Sequence, residues 1–112
     1  MDFIDKKLTL KEILHLRNKY GVYMKLTIDV ENRWVIVGGE LHADGEKLLL
    51  EKGSKQKDIW GGGINFLDKE VDTTAVLNIR PRLDNDNLEI LDSEIRKKFY
   101  DIIKKFFEKL WH

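Results

Sequence analysis

The chain contains no cysteine, which excludes disulfides and every metal site built on thiolates. It has one proline, Pro81, and one glutamine, Gln56, against abundant Lys, Glu and Ile. That balance is consistent with heat adaptation. No apolar run approaches the roughly 20 residues that a membrane-spanning helix needs. An excess of charge of either sign is also missing. The 20 Lys and Arg side chains cancel the 20 Asp and Glu side chains, so no global field favours an anionic membrane or a phosphate backbone. The first ten residues, MDFIDKKLTL, lack the apolar core and small-residue cleavage site of a secretory leader. These absences predict a cytoplasmic protein with no membrane partner and with nucleic acid disfavoured.

What is present is an ordinary globular composition, 42% hydrophobic and 36% charged over 112 residues, enough for one domain spanning residues 1–112. Thr9-Leu-Lys-Glu12 reads as a capping box, with Leu8 and Ile13 placed as a hydrophobic staple and Gly21 as the C-terminal stop. Val22 to Glu31 alternates as a strand, with Val22, Met24, Leu26, Ile28 and Val30 on one face. Asn32-Arg33 supplies a tight turn. Trp34 to Val37, WVIV, is apolar on both faces and reads as a central strand covered by a helix.

A second helix is expected from His42 to Lys52, stopped by Gly53, with Gly45 weakening its first half. IWGGGINFL is expected to be a third strand with a bulged or flexible middle. Val71 to Arg80 alternates as a fourth, ended by Pro81. Asp92-Ser93 caps a last amphipathic helix carrying Ile95, Phe99, Ile102, Ile103, Phe106, Phe107 and Leu110 at spacings of three and four. The expected architecture is α+β in the order α-β-β-α-β-β-α. It has a four-stranded, largely antiparallel sheet with helices on one face.

The string GGELHADGEKLLLEKGSKQKDIWG, followed by NIRP and an asparagine-containing loop, resembles a family described as domain of unknown function 5674. The resemblance runs from the strand containing Ile28 and Asp29 to the last helix. It departs from the family's WG-then-asparagine pattern, since Gly61, Gly62 and Gly63 stand before Ile64 and Asn65. The resemblance implies a prokaryotic, cytoplasmic, single-domain protein and brings no activity with it.

Three groups of residues could carry chemistry. Within GGELHADGE, the groups of Glu40, His42, Asp44 and Glu46 fall at every second position. Extended, Glu40, His42 and Asp44 would share a face. On a helix, Glu40 with Asp44 and His42 with Glu46 would pair at i,i+4. Either geometry would admit a divalent metal such as zinc, manganese or iron, or a His–carboxylate acid–base pair. The same residues would equally serve as a polar strand-to-helix junction, their acids suiting the positive end of the helix dipole.

Asn78, Arg80 and Asn85 form the second group. An Arg fork suits a carboxylate or phosphate, or else an internal acid such as Glu40 or Asp44. The third is the loop from Ser54 to Asp58 with Lys55, Trp60 and the glycines, where a backbone can approach a ligand and an indole can stack.

The leading expectation is a pocket for a small polar or anionic ligand, built from the GGELHAD and NIRP segments, with Arg80, Asn78, Trp60 and Lys55 as binding residues. The alternatives are a homodimeric interaction module in which these residues are structural, and a metal-assisted or His–carboxylate hydrolase using His42 with Glu40 or Asp44. RNA binding through Lys55, Lys57, Trp60 and Arg80 is a weaker reading.

Overall fold

In the computed structural model, which describes residues 1–112, the alternating segment after the first helix becomes the middle of a sheet. The elements are β1 (Asp2–Ile4), α1 (Leu10–Tyr20), β2 (Tyr23–Asp29), β3 (Trp34–Val37), α2 (His42–Glu51), β4 (Ile59–Asn65), β5 (Glu70–Asp72) and α3 (Ser93–Phe106). The strands lie in the order β1-β3-β2-β4-β5, and every neighbouring pair is antiparallel. The class is α+β, but the sheet has five strands rather than four and the order is β-α-β-β-α-β-β-α. The added strand β1 supplies the second neighbour that the doubly apolar WVIV requires, pairing Phe3 with Ile36.

The helices cover both faces of the sheet, not one. Met24, Leu26, Ile28, Val35 and Val37 pack against Ile13 and Leu16 of α1 and Phe99, Ile102, Ile103 and Phe106 of α3. Ile36 and Ile59, on the opposite face, pack with Leu49 of α2. A fully buried leucine of this kind contributes about 2 kcal/mol.

The start of α1 follows its sequence signal. The Glu12 amide donates to Thr9 Oγ1 at 3.1 Å and the Thr9 amide to Glu12 Oε1 at 3.0 Å. Gly45 has a packing role instead of a merely weakening one. A methyl group there would lie 2.5 Å from Thr27 Oγ1 and 2.7 Å from Thr27 Cβ, so its absence lets α2 lie directly on β2.

The segment Val71–Arg80 is not a strand throughout. Pairing stops at Asp72, whose Oδ1 accepts the Thr74 amide at 2.9 Å and the Thr74 hydroxyl at 2.6 Å. That turn redirects the chain into single 3-10 turns at Val76–Asn78 and Pro81–Leu83. Only isolated bridges remain, Thr74 with Glu89 and Arg80 with Asn85.

Candidate functional site

The polar groups of GGELHADGE diverge. Asp44 Oδ2 accepts the Leu41 amide at 3.0 Å, bracing the first turn of α2. Glu40 is exposed, and its backbone carbonyl accepts the Lys25 ammonium. Glu46 pairs with Arg80 at 2.9 Å. His42 alone turns onto the sheet, where its Nε2 lies 2.8 Å from the Gly62 carbonyl oxygen. No three His, Asp or Glu side chains converge anywhere in the chain to hold a metal ion. Glu40, His42 and Asp44 therefore present no common coordination site.

The geometry at His42 fixes its chemistry. A carbonyl can only accept, so Nε2 carries the proton and the neutral ring presents Nδ1 as an acceptor. Nδ1 has no hydrogen-bond partner, and no buried side-chain nitrogen or oxygen lacks one, so Nδ1 reaches solvent. Burial lowers the imidazole pKa below its usual value. The Gly62 carbonyl acts in the opposite direction, Lys25 adds to the lowering, and Asp72 opposes it. The net direction is downward, and the ring is neutral at pH 7.

The ring rests against β4 because Gly61 has no side chain. A methyl group at Gly61 would lie 2.9 Å from His42 Cδ2 and 2.8 Å from Ala75 Cβ. The cleft beside the ring has a volume of about 380 Å³ and is lined by Lys25, Leu41, His42, Ala43, Ala75, Val76 and Leu77. It lies where GGELHAD meets the residues leading into NIRP. Lys25 belongs to the polar face of β2. Its alternation marks that face, but nothing local places it beside His42.

Asn78 is fully buried and wholly occupied. Its Oδ1 accepts the Gly61 amide at 2.9 Å, and its Nδ2 donates to the carbonyls of Gly61 at 3.0 Å, Leu88 at 3.0 Å and Thr73 at 3.3 Å. Asn85 acts in the same way one turn later. It donates to the carbonyls of Asn78, Asn87 and Glu89 and accepts the Leu91 amide. These two amides organise the irregular chain between β5 and α3.

Arg80 ties three elements together. Its Nη1 donates to the Gln56 carbonyl at 2.8 Å, its Nη2 pairs with Glu46, and its guanidinium carbon lies 5.1 Å from the centre of the Trp60 ring. Burial pushes the guanidinium pKa down, against the opposing pull of Glu46. Trp60 is a core residue, 2% exposed, with its indole N–H donating to the Lys57 carbonyl. Lys55 is exposed and does not line the His42 cleft.

Asp29 lies outside the three candidate groups and is buried at the end of β2. Its Oδ1 accepts the amides of Glu31 and Asn32, and its Oδ2 accepts the Asn32 side-chain amide at 2.8 Å and the Ser54 hydroxyl at 2.6 Å. The DxxN spacing was a local signal for half of this network. Ser54, on the far side of α2, was not.

The family model for the protein of unknown function DUF5674 matches residues 2–106, and the chain belongs to that family. No curated protein and no solved structure matches it.

Proposed function

We propose that this member of the family binds a small organic anion with an apolar body, in the cleft between the start of α2 and the turn at Val76–Asn78. One observation carries the reading. His42 holds a fixed tautomer through Gly62 and offers an unpartnered Nδ1, and its side chain lines an apolar cleft together with Lys25. Apolar walls with a few convergent polar groups are the usual form of a small-molecule site. The apolar body would rest on Leu41, Ala43 and Val76. The anionic group would meet Lys25, whose ammonium exchanges the Glu40 carbonyl for it, and a hydroxyl or amide on the ligand would donate to Nδ1.

Hexanoate and hexanol form a matched pair of probes for amide-shift titrations. Saturable shifts at residues 41–43 and 75–77 are expected with hexanoate, weakened by about tenfold in Lys25→Met through loss of one charge-assisted contact. Absence of saturable shifts at those residues with hexanoate overturns the reading.

A second reading rests on the rim of the same cleft. Leu41 is 63% and Val76 76% exposed, and apolar groups of this size also serve self-association. Light scattering separates the two. A dimer abolished by Val76→Lys supports self-association, and a monomer across the accessible concentration range removes it.

A further inference from the structure

A second cleft lies beyond the other end of the 75–83 segment and shares no residue with the His42 cleft. It has a volume of about 330 Å³ and is lined by Gln56, Lys57, Arg80, Pro81, Arg82 and Leu83. Three of these residues are cationic and none is acidic, in a chain whose charges cancel overall. The two carboxylates that engage the lining cations, Glu46 on Arg80 and Asp58 on Lys57, do not themselves line the cleft.

Arg80 is held in place before any ligand arrives. The Gln56 carbonyl, Glu46 and the Trp60 ring fix its guanidinium. Two of its five N–H donors have an acceptor, on Nη1 and Nη2, and Nε–H has no protein partner. No buried side-chain nitrogen is left unpaired, so this Nε–H is not sealed from solvent. Arg82, two residues on, is exposed and makes no side-chain hydrogen bond or ion pair. Fixed and free guanidinium groups beside an ammonium suit an acceptor with several oxygens and more than one negative charge, for which Arg forks are well matched.

We propose that this cleft binds the phosphate group of a small phosphorylated molecule, with Arg80 as the fixed donor and Arg82 and Lys57 closing on the remaining oxygens. The ligand class follows from charge. A monocarboxylate would leave part of this donor set unused, whereas a phosphate dianion engages donors from all three side chains.

The test uses inorganic phosphate in amide-shift titrations at constant ionic strength, with chloride as the compensating anion. Saturable shifts at Gln56, Lys57, Arg82 and Leu83 are expected. Arg82→Gln, at an exposed position without a side-chain hydrogen bond or ion pair, should weaken binding by about tenfold. Lys11→Gln, on α1, should leave it unchanged. Non-saturable shifts, equal shifts with chloride alone, or indifference to Arg82→Gln each overturn the proposal. None of these outcomes bears on hexanoate at His42, because the two sets of reporting residues do not overlap.

Discussion

The side chain of Asn78 takes the place of a backbone neighbour for Gly61, accepting its amide at 2.9 Å and donating to its carbonyl at 3.0 Å. β5 pairs only with Gly63, Ile64 and Asn65, so without this amide the edge of β4 at Gly61 would be buried and unpaired. Asn78→Ala strands the Gly61 amide and leaves three carbonyls without that donor. It should cost about 2–4 kcal/mol, since each buried group left unsatisfied costs roughly 1–3. Asn78→Asp should cost more at neutral pH, because it replaces the donor with a buried charge. Urea unfolding measures both; a loss below about 1 kcal/mol for Asn78→Ala would mean that the edge finds water instead.

Asp29 predicts an acid-sensitive hairpin. Burial raises its pKa, but the Asn32 amide, the Ser54 hydroxyl, the Asn32 side chain and the Glu31 amide together outweigh burial and leave it lowered. A depressed folded pKa stabilises the protein fully above the unfolded value of about 3.9, and the contribution is lost as pH falls through the folded value. The urea midpoint should therefore drop below about pH 4 in the native chain. Asp29→Asn should start from a lower midpoint and show a shallower drop in that range. Parallel curves for the two proteins would remove Asp29 from the account.

How far the sequence reaches depends on the range of each interaction. The capping box at Thr9, the β2–β3 hairpin and the Asp92 cap, whose Oδ1 accepts the Glu94 and Ile95 amides, are set by neighbours within a few residues and are legible, except that Asp29 pairs with Trp34 and the hairpin turn takes the four residues 30–33 instead of Asn32-Arg33 alone. Asp2–Ile4 is too short to show alternation, although WVIV already demanded a partner on each side. Val71, Thr73, Ala75, Leu77 and Ile79 imitate a strand. What breaks it is a local cap at Asp72 together with an Asn78–Gly61 contact that spans 17 residues. In the candidate site, the GGELHADGE string correctly located a junction facing the NIRP segment. Which side chain went where was decided at long range: His42 by Gly62, 20 residues on, and Glu46 by Arg80, 34 residues on. The alternation of Glu40, His42 and Asp44 carried no information about these partners.

The Glu46–Arg80 pair should behave as a partly buried ion pair, with side chains 16% and 11% exposed. Glu46→Gln leaves the guanidinium desolvated against a neutral amide and should cost about 1–3 kcal/mol, less than the loss expected at full burial. Removing both charges with Arg80→Met added should cost less than the two single losses combined. A double-mutant cycle reads the coupling directly. Additive losses would mean that Arg80 is held by Gln56 and Trp60 alone.

Gly61→Ala should displace the His42 ring, because the new methyl group meets both Ala75 Cβ and His42 Cδ2. Overpacking of this kind costs about 1–3 kcal/mol. The specific readout is the imidazole: loss of the Nε2–H bond to Gly62 should alter the tautomer balance seen in long-range nitrogen spectra. Unchanged His42 signals would show that the strand yields instead of the ring.

The native His42 ring should titrate below the ordinary histidine value, with burial as the main cause. The sign of its effect on stability follows. Above the unfolded pKa of about 6.5 the ring is neutral in both states and contributes no pH dependence. As pH falls through that value the unfolded chain takes up the proton first, so the folded state loses stability until the folded pKa is also passed. The urea midpoint should decline over this window in the native protein, and His42→Asn should remove that part of the decline. Direct titration by nitrogen-detected NMR should give a midpoint below about 6.5, with Nε2 protonated at neutral pH. A midpoint at or above the ordinary value would remove burial as the ruling influence on the ring, and a neutral ring protonated on Nδ1 would remove the open acceptor offered to a ligand donor in the cleft.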